Sequence, residues 1–248
     1  MLDKRTRLWQ NSAMNTAQAR RRLSDHGWLA AMPQEFRLAL LDRCEWQPFK
    51  AGETIYLAGD SPGGIYGVCE GALAMTSGLG APLSPVAHVG GPGTWTGFGP
   101  LLTGQPRRGT LQALTPLLAA HVPLRPLQIL LQDHPEWWRH IAQEMLMEFD
   151  TATTVIGDLL TRSGPRRCAA TLLRVAGCRR QDTPAGGPVQ TQVSQQMLAE
   201  MANLSRSRIS PILADFSKRG LTRLEYRTIW LLDVPALRAI ADADDDDR

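Results

Sequence analysis

Ser205, Arg206, Ser207, Arg208 and Ser210 stand within one six-residue stretch. Arginine can bond a guanine at both O6 and N7, and serine hydroxyls can meet base edges or phosphates. Behind them Ile209, Ile212, Leu213 and Phe216 recur at helical spacing. With Ser205 as N-cap, this predicts a helix over Ser205–Lys218, cationic in its first turns and apolar on one side. An ordinary surface helix could show the same pattern, so the context decides. Ser194–Met201 predicts a shorter helix just before it, separated only by Ala202, Asn203 and Leu204. Two β-leaning runs follow, Leu221–Leu224 and Thr228–Leu232, around the turn E-Y-R. Two short helices joined by a tight turn and followed by a hairpin are the layout of a winged helix-turn-helix. Arg223 and Arg227 then lie on the wing, where phosphates are the natural partners. Pro211 falls inside the predicted helix, where it removes a backbone hydrogen bond and should bend the axis.

Charge along the chain agrees with this assignment. The net charge of +3 over 248 residues conceals a strong division. Residues 1–33 carry six Lys/Arg against two acids, residues 34–164 eight against twelve, and residues 165–238 twelve against five. A mildly acidic middle followed by a basic segment of +7 suggests two tasks, the second facing a polyanion. The Asp-rich tail, D-A-D-D-D-D, reads as a solubilising end.

Composition bounds the remaining possibilities. With 43% apolar and 21% charged residues the chain reads as a soluble globular protein of one large or two ordinary domains. It has no 18-residue apolar window and no apolar signal core, which implies a cytoplasmic protein without a membrane partner. Cys44, Cys69, Cys168 and Cys178 form no C-x-x-C pair and read as reduced thiols. Zinc is unsupported, because Cys and His lack ligand spacing, and His88 is the one residue to propose for a haem. No G-x-S-x-G, P-loop or H-E-x-x-H occurs, so the chain reads as a binding protein with no catalytic residues.

The elements that must position these groups are legible in outline. Trp28–Cys44 suggests a short amphipathic helix, with Pro33 tolerable only near its start. From Phe49 to about Ala119, short apolar runs alternate with Gly- and Pro-rich turns: Thr54–Leu57, Ile65–Cys69, Ala72–Met75, Pro85–Val89, Thr110–Leu114 and Leu117–Val122. That texture predicts an antiparallel sandwich or barrel. Beyond Pro135 the period becomes helical. Trp138, Ala142, Met145, Phe149, Ala152, Ile156 and Leu159 step by fours and threes, an a/d seam that predicts a two-helix contact and hence a homodimer. A helix lying on its own core is the alternative. Ser163-Gly164-Pro165 ends it and marks a hinge.

Taken in order, five motifs resemble the Crp/Fnr family of bacterial transcription regulators from about Trp28 to Leu237. They are F-K-A-G-E-T-I-Y-L-A-G-D at 49–60, I-Y-G-V-C-E-G-A-L-A-M at 65–75, G-F-G-P-L-L-T-G-Q-P-R-R-G-T at 97–110, R-C-A-A-T-L-L-R-V at 167–175 and L-S-R-S-R-I-S-P-I-L-A-D-F-S-K-R-G-L at 204–221. The resemblance implies an α+β chain. Its parts would be a β-roll sensor of jelly-roll type over 28–134, a long dimerisation helix and hinge over 135–163, and a winged helix-turn-helix over 164–240. An iron–sulfur version of the family needs N-terminal cysteines, and residues 1–43 contain none.

The third motif resembles the phosphate-binding cassette of cyclic-nucleotide domains. Gly97 and Arg107 stand at its matching places, Phe98 takes the place of a ribose-binding Glu, and Arg108 and Gly109 replace a pair of small residues. Phe cannot accept a hydrogen bond, so the resemblance implies that cyclic AMP is not bound in the usual way. Arg107 either binds an anion or ties the roll together. No cofactor is assigned; the effector implied is an unidentified anion or nucleotide. The partners implied are a second copy of the chain, RNA polymerase and double-stranded DNA, as a near-palindromic operator with half-sites about 34–36 Å apart. The alternative is a ligand-sensing or scaffold protein whose C-terminal helices bind another protein.

Overall fold

A computed structural model describes residues 14–77, 86–179 and 187–243. The predicted strand start at Pro85 and most of the Asp-rich tail lie outside them. The chain forms two compact units, one ending at Glu148 and the other beginning at Phe149.

The first unit opens with helix α1 (Thr16–Asp25), whose N-cap Asn15 and Gln18 exchange side-chain-to-backbone hydrogen bonds in a capping box. Trp28–Ala31 forms a 3₁₀ turn and α2 spans Gln34–Leu41. The single helix expected over Trp28–Cys44 is therefore broken at Met32, because a residue preceding proline is pushed out of the helical region. Eight strands follow: β1 (Glu45–Phe49), β2 (Thr54–Tyr56), β3 (Ile65–Glu70), β4 (Leu73–Ser77), β5 (Val86–Gly90), β6 (Trp95–Thr96), β7 (Gly109–Ala113) and β8 (Leu117–Val122). They pair antiparallel in two sheets, β1-β8-β3-β6 and β2-β7-β4-β5. β1 escaped the sequence reading because it contains Pro48. An edge strand tolerates proline, since the missing N–H is not needed by a neighbour.

The sheets face each other across Phe49, Tyr56, Tyr66, Val68, Leu73 and Leu111. On the outer side of the first sheet lies a second core that includes Ile65, Trp95, Leu118, Ala120 and Val122. Both faces of β8 are thus buried, which is why Leu117–Val122 reads as a continuous apolar run. Helix α3 (Phe98–Thr103) lies between β6 and β7, and α4 (Leu124–Asp133) follows β8. Trp28 centres the second core. Its ring meets Phe36, Trp95 and Phe98 edge-on at 5.4–5.9 Å, and its indole N–H donates to the His140 carbonyl at 3.1 Å.

Helix α5 (Trp138–Leu160) supplies residues to both units. The second unit adds α6 (Gly164–Val175), β9 (Val189–Thr191), α7 (Gln195–Met201), α8 (Arg206–Lys218), β10 (Thr222–Glu225), β11 (Thr228–Leu231) and α9 (Val234–Asp242). The hairpin β10–β11 gains a third strand, β9, on the far side of β11. Only three residues long and preceded by a Gly/Pro-rich sequence, β9 carries too little pattern to read from sequence. Leu172, Leu173, Leu198, Ile209, Leu213, Phe216 and Leu231 are buried in this unit. Asp158, near the end of α5, is buried against Arg174 of α6 at 3.3 Å and Arg179 at 3.0 Å; Arg179 also reaches Asp242 of α9 at 2.7 Å. Two arginines on one buried carboxylate supply the hydrogen bonds that its burial requires.

Candidate DNA interface, sensor cassette and helix seam

In the second unit, α7 and α8 are joined through Asn203, which takes the left-handed conformation at φ +50°. Ser194 caps α7 by accepting from Met197 N–H at 3.1 Å. Ser205 sits at the N-cap of α8 as expected, but its hydroxyl pairs with Ser207 Oγ at 2.9 Å and caps no backbone N–H. Ile209, Leu213 and Phe216 hold α8 to the core. Arg206, Ser207, Arg208 and Ser210 are all exposed, with Ser210 Oγ donating to the Arg206 carbonyl at 3.1 Å. Among the described residues neither Arg206 nor Arg208 is engaged by a carboxylate. The outer face of α8 carries no large apolar residue. Pro211 is accommodated on that outer face.

On the wing, a two-residue turn of Tyr226 and Arg227 joins β10 to β11, with Arg227 at φ +55°. Arg223 is exposed, 3.1 Å from Glu225 and 5.1 Å above the Trp230 ring; Arg227 lies 5.6 Å from the Tyr226 ring. Both wing arginines are therefore steadied by aromatic contact while remaining open to solvent.

The cassette residues behave differently. Gly97 takes φ +96°, and a Cβ there would lie 2.7 Å from Arg107 Nη1, so only glycine fits. Phe98 is 1% exposed and points into the Trp28 core. Arg107 is 4% exposed, donates to the Gly97 carbonyl at 3.3 Å and lies 4.1 Å from the Tyr56 ring centroid, with Tyr66 at 5.8 Å. Its backbone exchanges hydrogen bonds with Gly59 and Asp60 at 2.8 Å. Burial raises the Tyr56 hydroxyl pKa, against the downward pull of Arg107. Arg108 is exposed and Gly109 opens β7, pressed against the Thr76 carbonyl. His121 stacks on Tyr66 at 4.4 Å, meets the Gly63 carbonyl through Nε2 at 2.6 Å and faces Gln47 through Nδ1. The aromatic clamp of Tyr56 and Tyr66 was missed from sequence, since Tyr56 lies fifty residues from the arginine it covers.

Helix α5 carries the residues of the expected seam, and they differ in exposure. Trp138, Ala142, Phe149, Ala152 and Ile156 are exposed, while Met145 and Leu159 are half-buried by their own chain. Leu146 and Leu160, omitted from the expected stripe, are 60% and 78% exposed, and Phe149 is 63% exposed. The stripe left most open is Ala142, Leu146, Phe149, Thr153, Ile156 and Leu160, also stepping by fours and threes. On the opposite face Glu144 and Glu148 turn inward. Glu144 Oε2 is buried without a hydrogen-bond partner, and burial pushes its carboxyl up to about 8 and that of Glu148 to about 7. Neither carried a sequence signal beyond an i,i+4 spacing.

The four thiols show no reactive environment. Burial raises all of their pKa values, those of Cys69 and Cys168 to about 12. Among the described residues, no helix is long and apolar enough to cross a membrane.

Comparison with known proteins covers both units. Residues 46–134 match the family described as the cyclic nucleotide-binding domain, and residues 166–240 match the Crp-like helix-turn-helix domain. A CRP-like cAMP-activated global transcriptional regulator of Mycobacterium tuberculosis is 23% identical over 197 residues, covering 79% of this chain and 87% of that protein. The transcriptional regulator LdrP of Thermus thermophilus is 28% identical over 194 residues, 76% of this chain and 93% of that one. The crystal structure of a CRP-family transcriptional regulator from Thermus thermophilus superposes with a TM-score of 0.61 at 26% identity, covering 79% of this chain and 97% of that one. A sandwich matching one domain, followed in order by a winged helix matching the other, assigns the chain to a single lineage. It belongs to the Crp/Fnr family of transcription regulators.

Proposed function

We propose that this regulator acts as a cytoplasmic homodimer that binds a near-palindromic operator through α8 and the wing. Its sensor does not take cyclic AMP in the usual way. The functional division is the sensor over 28–134, the dimer helix and hinge over 135–163 and the DNA-binding domain over 164–240. The observation that carries the reading is the outer face of α8, where Arg206 and Arg208 stand exposed without a carboxylate partner. A helix built to dock on a protein would present a row of large apolar residues there instead. Ser205, Arg206, Ser207, Arg208 and Ser210 meet the major groove, while Arg223 and Arg227 meet phosphates. Exposed Leu146, Phe149, Ile156 and Leu160 support the dimer. Operator selection from a random duplex library tests the whole: enrichment of an inverted repeat bound by a dimer is expected, and a pool without any enriched sequence overturns it.

The sensor part rests on Phe98 and Arg107. An aromatic ring sealed in the core offers no acceptor to a ribose, and the guanidinium is already covered by Tyr56. An unidentified anion, or a partner such as RNA polymerase, then biases the switch. Titration calorimetry with cyclic AMP should show no binding at micromolar concentrations; micromolar or tighter binding refutes this part.

A further inference from the structure

The buried residues of α8 fix how the helix is rotated, and that rotation selects a surface that residue type alone does not suggest. Ile209, Leu213 and Phe216 lie within 1% of complete burial. On a helix turning about 100° per residue, the positions diametrically opposite are Ser207, Pro211, Ala214 and Lys218, and all four are exposed. Arg206 and Arg208 are two residues apart and so stand on opposite flanks of this stripe. One groove floor cannot receive both directly beneath the helix axis. The outermost surface is therefore the apolar pair Pro211 and Ala214, with a serine at one end and a lysine at the other. Asp215, beside it, is held by Arg219 at 3.3 Å.

The proline adds a second feature. Having no N–H, Pro211 gives nothing to the carbonyl of Ser207, four residues earlier on the same stripe. An apolar patch beside a backbone acceptor matches one base-pair edge in the major groove. Thymine offers its 5-methyl group to apolar contact, and its adenine partner offers an N6 amino donor.

We propose that Pro211 and Ala214 are specificity-determining residues that read the 5-methyl group of a thymine in each half-site, so that an A·T pair faces the middle of α8. The inference rests on the DNA-binding reading above and adds the identity of the contacted base. The basic segment around α8 supplies the attraction to DNA, and this patch supplies a choice among sequences.

The test uses the full chain and its selected operator. Each thymine of a half-site is replaced in turn by uracil, which pairs identically and lacks only the methyl group. One position per half-site should weaken binding by about fourfold when substituted alone, and by about fifteenfold when substituted in both half-sites, the effect of one buried methyl at each. In the double variant P211S/A214S that uracil penalty should vanish. If every thymine-to-uracil replacement changes affinity by less than twofold, the inference is wrong although operator binding stands. A penalty equally large in the variant assigns the methyl to another residue and also overturns it. If no operator is enriched, the DNA-binding reading falls and takes this one with it. The uracil series on the unaltered protein decides the matter even if the double variant fails to fold.

Discussion

In the first unit, Phe98 and Arg107 are buried: one ring packs on Trp28, and one guanidinium lies over Tyr56 and donates to the Gly97 carbonyl. In the C-terminal unit, Arg206 and Arg208 point outward from α8 and are met by no carboxylate among the described residues. Both sets stand where the resemblance in sequence implies binding. A buried side chain presents little surface to a ligand, whereas an exposed, uncompensated cation waits for an anion. A motif's presence and a site's availability are therefore separate properties, and burial distinguishes them.

The largest effect should come from α5, the helix proposed to join two copies of the chain. Replacing Leu146 and Phe149 together with Glu would place four like charges at a two-helix seam and should convert the protein to a monomer. Operator affinity should then fall by orders of magnitude, because two half-sites no longer bind as one unit. Light scattering checks the mass; an unchanged dimer would return the seam to the Met145 and Leu159 side of α5.

Next in size is an attempt to rebuild the lost acceptor in the sensor. Phe98→Glu inserts a carboxylate among Trp28, Trp95 and Leu101, and should destabilise the roll by about 3–5 kcal/mol without creating cyclic AMP affinity. Thermal unfolding together with calorimetry measures both quantities. A stable variant that binds the nucleotide would break the contrast drawn above.

The arginines of α8 and the wing separate base reading from charge. Arg206→Ala or Arg208→Ala should cost about 1–3 kcal/mol per half-site where the side chain meets a guanine, and relax preference at one base step. Arg223→Ala and Arg227→Ala should instead weaken all sequences alike, each lowering the salt slope by about one per half-site. Fluorescence anisotropy at several salt concentrations distinguishes these patterns.

The smallest effect concerns the buried face of α5. Glu144 has its carboxyl raised from 4.5 to about 8, so the folded state holds a proton that the unfolded chain has released between those values. Its contribution to stability is present below about pH 4.5 and is lost as pH rises to 8. Glu144→Gln should accordingly be neutral at pH 4.5 and stabilising by about 1–3 kcal/mol at pH 8. Chemical denaturation at the two pH values checks the sign; a variant destabilised at pH 8 would mean that the ionised carboxylate has a partner.

Much of the architecture was written locally. Gly- and Pro-rich turns between short apolar runs announce the sandwich, because a turn needs those residues wherever the chain reverses. The spacing of Ile209, Leu213 and Phe216 announces α8, because one face of a helix must be apolar to be buried. The α1, α3 and α4 helices and β1, β6 and β9 were not announced. They are short, or contain proline, or are held by the core rather than by their own pattern.

Tertiary structure alone decided what depends on distant neighbours. The periodicity of α5 fits two stripes, through Met145 or through Leu146, and only the core packed against one side leaves the Leu146 stripe the more exposed. Arg107 gives no sign in sequence of being buried until Tyr56, on β2, covers it. Asp158 looks like any helix carboxylate until Arg174 of α6 and Arg179 close on it. Local sequence sets which residues share a face, since that follows from the helix and strand repeats. Whether that face is buried, partnered or open is set by chain segments far away, and that decides which of these residues can still bind.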